Sequence, residues 1–398
     1  MESALEQAKP LLRKLINEGF QAYFVGGAVR DSLIGRPIHD VDIATSAHPH
    51  QVQALFEETV PIGLAHGTVL VLFNGVPYEV TTFRSESGYT DHRHPDHVFF
   101  EENIEVDLSR RDFTMNAMAI SVEGDLIDPF NGKEDLSQHI LRTVGNPSDR
   151  FQEDPLRMLR AARFASQLDV GPAENLRVEM ERCASRIKTV SIERVRDELI
   201  KCLRGMSPQK GLALLLETNL YRFIYGIEKL KEKWSALQHV SFDSLETDVE
   251  RLSLLFYGLD PHMNETNLRG FRFPTKDSKA ILQVLSLLNQ NVKWTPFLLY
   301  RWGFDYVASV ERVRQALGHP SSLQELERMW RNIPIQSRKE LCIGGHDLLT
   351  WTGQRGGPWV AQLISQIEEN VVNRDLKNDP IAIRKWVEME WMKKRNEF

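Results

Sequence analysis

Apolar positions along the chain follow two successive periods. Up to residue 140 they fall in short runs rich in β-branched and aromatic residues: AYFVG (22–26), DVDIAT (40–45), TVLVLF (68–73), YEVTTF (78–83) and NAMAISV (116–122). Gly, Pro or Asn bound these runs, and stretches of helical pattern separate them, which predicts short strands alternating with short helices. From about residue 150 the repeat lengthens. In DPLRMLRAARFASQL (154–168), Leu156, Leu159, Ala162 and Phe164 recur at helical spacing, with Glu153 and Asp154 near the helix start and Pro155 in its first turn. Further helical runs occupy 191–205, 208–220, 278–290 and 357–372, and no strand pattern of comparable strength returns. The fold class expected is therefore α+β: one mixed-sheet domain, then an all-helical remainder that bends or divides near Pro208, Pro274 and Pro334.

The totals narrow the class without deciding it. A chain of 398 residues is too long for one compact core. It is 42% hydrophobic and 26% charged, an ordinary globular composition. No segment approaches the roughly 18 consecutive apolar residues of a membrane span. The opening MESALEQAKPLLRKL reads as an amphipathic helix of mixed charge rather than a secretion signal, so a cytoplasmic protein is expected. Cys183, Cys202 and Cys342 are widely spaced and favour neither a disulfide framework nor a zinc site.

Charge distribution says more than the net value of −6. Residues 1–149 hold 11 Lys and Arg against 23 Asp and Glu; residues 150–204 hold 12 against 9, and 205–398 hold 26 against 23. An acidic head before a mildly basic remainder suits a carboxylate-lined metal site beside a phosphate-tracking surface. A solvated face of mixed charge accounts for the numbers equally well.

Candidate chemistry begins at FVGGAVRDSLIGRPIHDVDIAT (24–45). Gly26 and Gly27 close a strand and open a helix, where backbone amides can approach a triphosphate, and Arg30 follows on the first turn. If Asp40 and Asp42 share a strand, both carboxylates point into one volume. Two such groups repel unless a cation lies between them, and hard oxygen ligands select Mg²⁺. Glu79 on another strand is either a third ligand or an outward-facing side chain. In RRDFTMNA (110–117), Arg110 and Arg111 offer forked donors, Asp112 can accept from a sugar hydroxyl, and Asn116 can do either. In EDPLRMLRAARF (153–164), Asp154 and Arg157 are three apart, as if on one helix face. A carboxylate beside a guanidinium offers an acceptor and a donor side by side. Arg160 and Arg163 continue the basic stripe. Alone, each motif has a bland reading: a tight turn, a strand edge, a surface ion pair.

Taken in order, GGAVRD…DVDIAT, RRDFTMNAMA, DPFNG (128–132), EDPLRMLRAARF and SIERVRDEL (191–199) resemble the successive motifs of the bacterial-type class II tRNA nucleotidyltransferases, a branch of the polymerase-β-like superfamily. The motifs cover about half the chain, and CIGGHDLLTWTGQRGGPW (342–359) resembles the tail of the shorter, Bacillus-like members. The resemblance implies a catalytic head (1–140), a helical neck carrying the base template (141–205), and a helical body (206–320) and tail (321–398) that bind RNA, in an elongated arrangement. It implies Mg²⁺ as cofactor on Asp40 and Asp42. Gly27, Arg30, Arg111, Asp112, Asn116, Asp154, Arg157, Arg160 and Arg163 would bind the nucleotide. The partners implied are tRNA, CTP and ATP, no membrane, and a homodimer is left open. The implied reaction adds CCA to tRNA 3′ ends. Enzymes adding only A or only CC, a bacterial poly(A) polymerase, and an inactive RNA-binding protein of the same fold are the alternatives. The loop holding His92, His94 and His97 resembles the family segment linked to A addition and has no metal-site spacing. His346-Asp347 lacks the partners a phosphohydrolase would need.

Overall fold

The computed structural model describes residues 4–290 and 292–395. They form two compact units, Met1–Gln238 with Thr266–Phe273, and His239–Glu265 with Pro274–Phe398. The first unit opens with α1 (Ala4–Asn17), β1 (Ala22–Val25), α2 (Gly27–Leu33), β2 (Asp42–Thr45) and α3 (Pro49–Leu55). There follow β3 (Thr59–Gly63), β4 (Thr68–Phe73), β5 (Val76–Thr82), β6 (Arg84–Ser87), β7 (His97–Phe100) and α4 (Ile104–Ser109). β8 (Ala119–Ile120), β9 (Leu126–Ile127), α5 (Gly132–Ser137) and β10 (Ile140–Leu141) complete the head segment. Next come α6 (Pro147–Glu153), α7 (Leu156–Leu168), β11 (Gly171–Pro172), α8 (Glu174–Cys183), α9 (Ile192–Leu203) and α10 (Pro208–Glu217).

Seven strands make one mixed sheet in the order β3-β4-β5-β2-β1-β8-β9. β2 and β5 run parallel, and the remaining neighbours are antiparallel. Alternation decides the faces: in β4, Val69 and Val71 are fully buried while Leu72 lies exposed. α1 packs against the sheet through Leu11, Leu12 and Leu15, each fully buried and each contributing about 1.5–3 kcal/mol. Under the functional end, Val25, Ala44, Phe83, Leu108, Ala117 and Ala119 form a separate apolar cluster that fixes β1 and β2 against α4.

The predicted strands recur with shifted limits. β2 starts at Asp42, so Asp40 precedes the strand rather than lying on it, and NAMAISV contributes only Ala119–Ile120. β6 pairs with β7 to form a two-stranded ribbon that the patterning did not reveal. The helix expected from Pro155 onward is present as α7, but Asp154 precedes it in extended conformation (φ −144°, ψ 104°), which ends α6.

After α11 (Leu230–Leu237), the second unit is built from α12 (Asp248–Leu259), α13 (Glu265–Arg269, shared with the first unit), α14 (Thr275–Asn289), α15 (Pro296–Trp302), α16 (Phe304–Ala316), α17 (Leu323–Asn332), α18 (Gly345–Thr352), α19 (Pro358–Val372) and α20 (Pro380–Arg395). Its core joins Leu299, Val307, Leu348, Ile367, Val371 and Ile383 to a shell of six tryptophans, Trp294, Trp302, Trp330, Trp351, Trp359 and Trp386. One buried carboxylate, Glu250, is stabilised by Arg312 (Nη2 to Oε1 2.8 Å) and Ser309 (2.7 Å), so its charge is fully paired. Asp347 of the His346-Asp347 pair accepts from the Gly344 amide at 2.7 Å, an N-terminal cap for α18.

Candidate functional site

Antiparallel pairing of Val25 with Asp42 brings the end of β1 and the start of β2 to one edge of the sheet. The chain must then turn sharply into α2. Gly26 makes that turn at φ 70°, in a region that disfavours any side chain. A methyl group there would lie 3.0 Å from Arg111 Nη1 and 3.7 Å from Asp42 Oδ2, so the glycine also leaves room for the two groups it separates. The parallel β5 places Glu79 opposite Asp42. Burial raises the Asp42 pKa, and Glu79 and Asp40 add to the rise while Arg111 opposes it. An acid short of positive charge, next to a second acid, is what a hard divalent cation would relieve. Glu79 itself is exposed, and among the described residues no three His, Cys, Asp or Glu side chains converge. Asp40 and Asp42, unlike Glu79, line the cavity beside this edge.

A cavity of about 730 Å³ opens beside this pair. The eleven residues to which the resemblance gives a metal or nucleotide role all line it: Gly27, Arg30, Asp40, Asp42, Arg111, Asp112, Asn116, Asp154, Arg157, Arg160 and Arg163, whereas Glu79 does not. They are joined by Gly26, Arg110, Leu156, Phe164, Gln167 and Arg194. Seven arginines face four aspartates, an excess of positive charge suited to a polyphosphate.

The polar wall is one connected chain. Arg30 Nη1 donates to Asn116 Oδ1 at 2.7 Å, Asn116 Nδ2 to Asp112 Oδ1 at 3.1 Å, and Arg160 Nε to Asp112 Oδ2 at 2.7 Å. Burial alone would push the Asp112 carboxyl up, yet the Arg160 charge and the Asn116 bond hold it well below the usual carboxylate range. Phe164 is the fulcrum beneath the wall. The guanidinium carbons of Arg30, Arg160 and Arg163 lie 5.4, 5.6 and 4.3 Å from its ring centroid, and its edge meets Phe113 at 5.6 Å.

At residues 153–157 the structure corrects the expected geometry. Asp154 and Arg157 do not share a helical face, because the chain breaks between α6 and α7. Asp154 instead caps α7, its Oδ1 accepting from the Leu156 amide at 3.0 Å and its carbonyl from the Arg157 amide at 3.1 Å. Arg194 of α9 binds its Oδ2 at 2.7 Å. Arg157 pairs with Glu153 at 2.5 Å rather than with Asp154. Both side chains still line the cavity. Arg194 lies inside the quoted SIERVRDEL motif, but only packing of α9 on α7 shows that it reaches Asp154. Arg163 turns partly away to the buried Glu198, at 3.1 Å. In the loop 88–96, His94 pairs with Asp91 at 2.8 Å and His92 Nδ1 lies 3.1 Å from the Gln152 carbonyl, so neither belongs to the cavity.

Known families match successive stretches of the chain. Residues 22–142 match the family model described as "Poly A polymerase head domain", 172–228 the "Probable RNA and SrmB- binding site of polymerase A", and 244–387 tRNA nucleotidyltransferase domain 2. The CCA-adding enzyme of Bacillus cereus (strain G9842) is 41% identical over 388 residues, 96% of this chain and 98% of that one. That of Anoxybacillus flavithermus is 40% identical over 393 residues, 97% of each. The crystal structure of the Bacillus stearothermophilus CCA-adding enzyme in complex with CTP superposes with a TM-score of 0.92 at 37% identity, covering 100% of both chains. Since the kinship runs through head and helices alike and the fold is retained from end to end, the chain belongs to the CCA-adding enzymes, the class II tRNA nucleotidyltransferases.

Proposed function

We propose that this chain builds the CCA end of tRNA from CTP and ATP, one nucleotide at a time, releasing pyrophosphate. One observation carries the reading: a single cavity unites the Asp40 and Asp42 pair with Asp154 and Arg157. On this reading one volume serves both as the phosphoryl-transfer centre and as the base-reading edge. Asp40 and Asp42 would hold Mg²⁺, which supplies charge neutralisation and a more acidic 3′-hydroxyl when bound. Arg30 and Arg111, with the Gly27 amide, orient the triphosphate so that its α-phosphorus meets the RNA 3′ oxygen in line. The 3′-hydroxyl gives up its proton to solvent, the new O–P bond forms as the bridging bond to the β-phosphate breaks, and pyrophosphate leaves with that electron pair. Asp112 and Asn116, held rigid by Arg160 and Arg30, contact the ribose. Asp154 accepts the amino hydrogen of C or A, Arg157 donates to the ring nitrogen, and Arg160 and Arg163 complete the basic wall. We assign 1–140 as head, 141–205 as neck, and 206–320 and 321–398 as the body and tail that grip tRNA through shape and backbone.

The deciding experiment incubates purified protein with tRNA ending at the discriminator base, at C, and at CC, giving CTP or ATP separately. CTP should extend the first two ends and ATP the third. ATP addition repeated on every end would identify a poly(A) polymerase, and extension confined to one step would identify a partial enzyme.

Two further outcomes are expected. Gly26→Ala should lower stability by about 1–3 kcal/mol, because alanine at positive φ is strained, and should raise the KM for both nucleotides by displacing Arg111. A melting curve and KM values equal to the wild type would show that the turn relaxes without cost. Affinity for tRNA should fall steeply with salt despite the acidic total, since each phosphate neutralised contributes about −0.7 to −0.9 to the slope of log K against log salt. A flat salt titration would contradict phosphate tracking by the helical parts.

A further inference from the structure

Behind the cavity wall, α4 carries a carboxylate that no step above uses. Asp107 is 1% exposed and saturated with donors. Its Oδ1 accepts from Arg110 Nη2 at 2.8 Å and Nε at 3.1 Å, and its Oδ2 from Arg111 Nη2 at 3.1 Å. Arg110 has a second acid, Glu86, at 3.1 Å. Arg111 has a weaker second tie, a 3.4 Å contact from Nη1 to the Asn116 carbonyl, and its Nε is buried without a partner. On the other side of Arg111, across Gly26, stands Asp42.

We infer that Asp107 is a positioning residue that keeps the Arg111 guanidinium off the Asp40 and Asp42 carboxylates, leaving them free for a divalent cation. The argument is one of competition. A guanidinium released from a buried counter-charge seeks the nearest uncompensated anion, and a forked donor binds a carboxylate tightly in a partly dry site. Here the nearest such anions are the acids meant for metal. Arg111 is close enough to reach Asp42, since only the space above Gly26 lies between its Nη1 and Asp42 Oδ2. With Asp107 present, Arg111 is held by its far edge and presents the cavity with a fixed charge for phosphate. Without it, the same arginine would neutralise the acids and compete with the cation. Two adjacent arginines also repel, and the shared acid lets both occupy one wall. The inference rests on the metal-site reading of Asp40 and Asp42 proposed above.

The test titrates Mn²⁺ alone into the full-length protein, without nucleotide or RNA, and measures free Mn²⁺ by electron paramagnetic resonance. Asp107→Asn should weaken Mn²⁺ binding about tenfold, and adding Arg111→Gln should restore it to within about threefold of wild type, the non-additivity expected of residues acting through one another. Arg111→Gln alone should shift the affinity by less than about threefold, because in the intact protein this arginine is already held away. Wild-type affinity in Asp107→Asn, or a double variant as weak as the single one, would overturn the inference. So would a tightening of about tenfold or more in Arg111→Gln alone, since Arg111 would then be quenching the acids with Asp107 in place. Circular dichroism checks each variant's fold. Asp107→Ser, a smaller neutral side chain, replaces Asp107→Asn if that variant unfolds, and the Arg111→Gln arm decides if both do. Equal Mn²⁺ binding by wild type and Asp42→Ala would instead overturn the underlying metal-site reading, an outcome distinct from failure of the Asp107 role.

Discussion

Alanine at Asp40 or Asp42 is expected to abolish nucleotide incorporation, by at least about a thousandfold in kcat, or about 4 kcal/mol in the transition state. The size follows from how little else the centre supplies. In a phosphoryl transfer the protein positions and neutralises rather than forming bonds to the substrate, so the charge at the α-phosphate falls to the arginines once the cation is lost. The structure also predicts what should survive. Asp40 lies outside the strand, and Asp42 pairs through its backbone with Val25, so neither side chain holds the sheet together. Asp42 is moreover a destabilised acid, with its pKa raised by burial and by neighbouring acids. Its removal should leave the melting temperature unchanged or slightly higher, and tRNA binding intact. The measurement is single-turnover extension of tRNA ending in CC with ATP across a Mg²⁺ titration, with thermal melting of the same samples. Substantial Mg²⁺-dependent turnover in either variant would mean that the ligands are other residues.

The division between what the sequence reveals and what it conceals has a physical basis. Gly26, Gly27 and Asp42 are legible because their roles are local: a turn with positive φ, and a strand start two positions from another acid. Arg111, Asp112 and Asn116 are legible as a motif, but their working state is not. That Asn116 relays between Arg30 and Asp112 depends on residues 86 positions apart meeting across the sheet. Arg194 and Phe164 are concealed for the same reason. Phe164 reads as one more apolar position on α7, and only packing shows three arginines gathered on its ring. Asp107 reads as an ordinary acid in the first turn of α4, where it would favour the helix dipole. Burial behind two arginines gives it another task. Helical spacing misleads at Asp154 because Pro155 opens α7, and the residue before a proline is driven to extended backbone, which α6 cannot continue. The spacing rule assumed one helix where the proline imposes two.

That break shapes the second large effect, the loss of base selection. Asp154 is at once a helix cap, a partner of Arg194 and the acceptor proposed for the amino group of C or A. Asp154→Asn keeps the cap, because asparagine serves that position as well as aspartate, and it replaces one acceptor oxygen with an amino donor. Uracil presents a carbonyl where cytosine presents the amino group, so the variant should lose much of its preference for C over U. The expected change is roughly 1–3 kcal/mol, about ten- to a hundredfold in relative kcat/KM. Arg157→Ala should weaken CTP and ATP use together, since both bases rely on the same ring acceptor. Glu153 would not be stranded by that change, because Arg150 holds it at 2.7 Å. The reversal Asp154→Arg with Arg157→Asp presents the pattern that U and G require. It also sets a cation against Arg194 and removes the cap, so a stability loss of about 1 kcal/mol or more should accompany any new specificity. All four nucleotides are compared on tRNA ending in one C, with melting curves to separate folding from reading. Selectivity for C that survives unchanged in Asp154→Asn and in the reversed pair would place the template elsewhere and leave Asp154 as a cap alone.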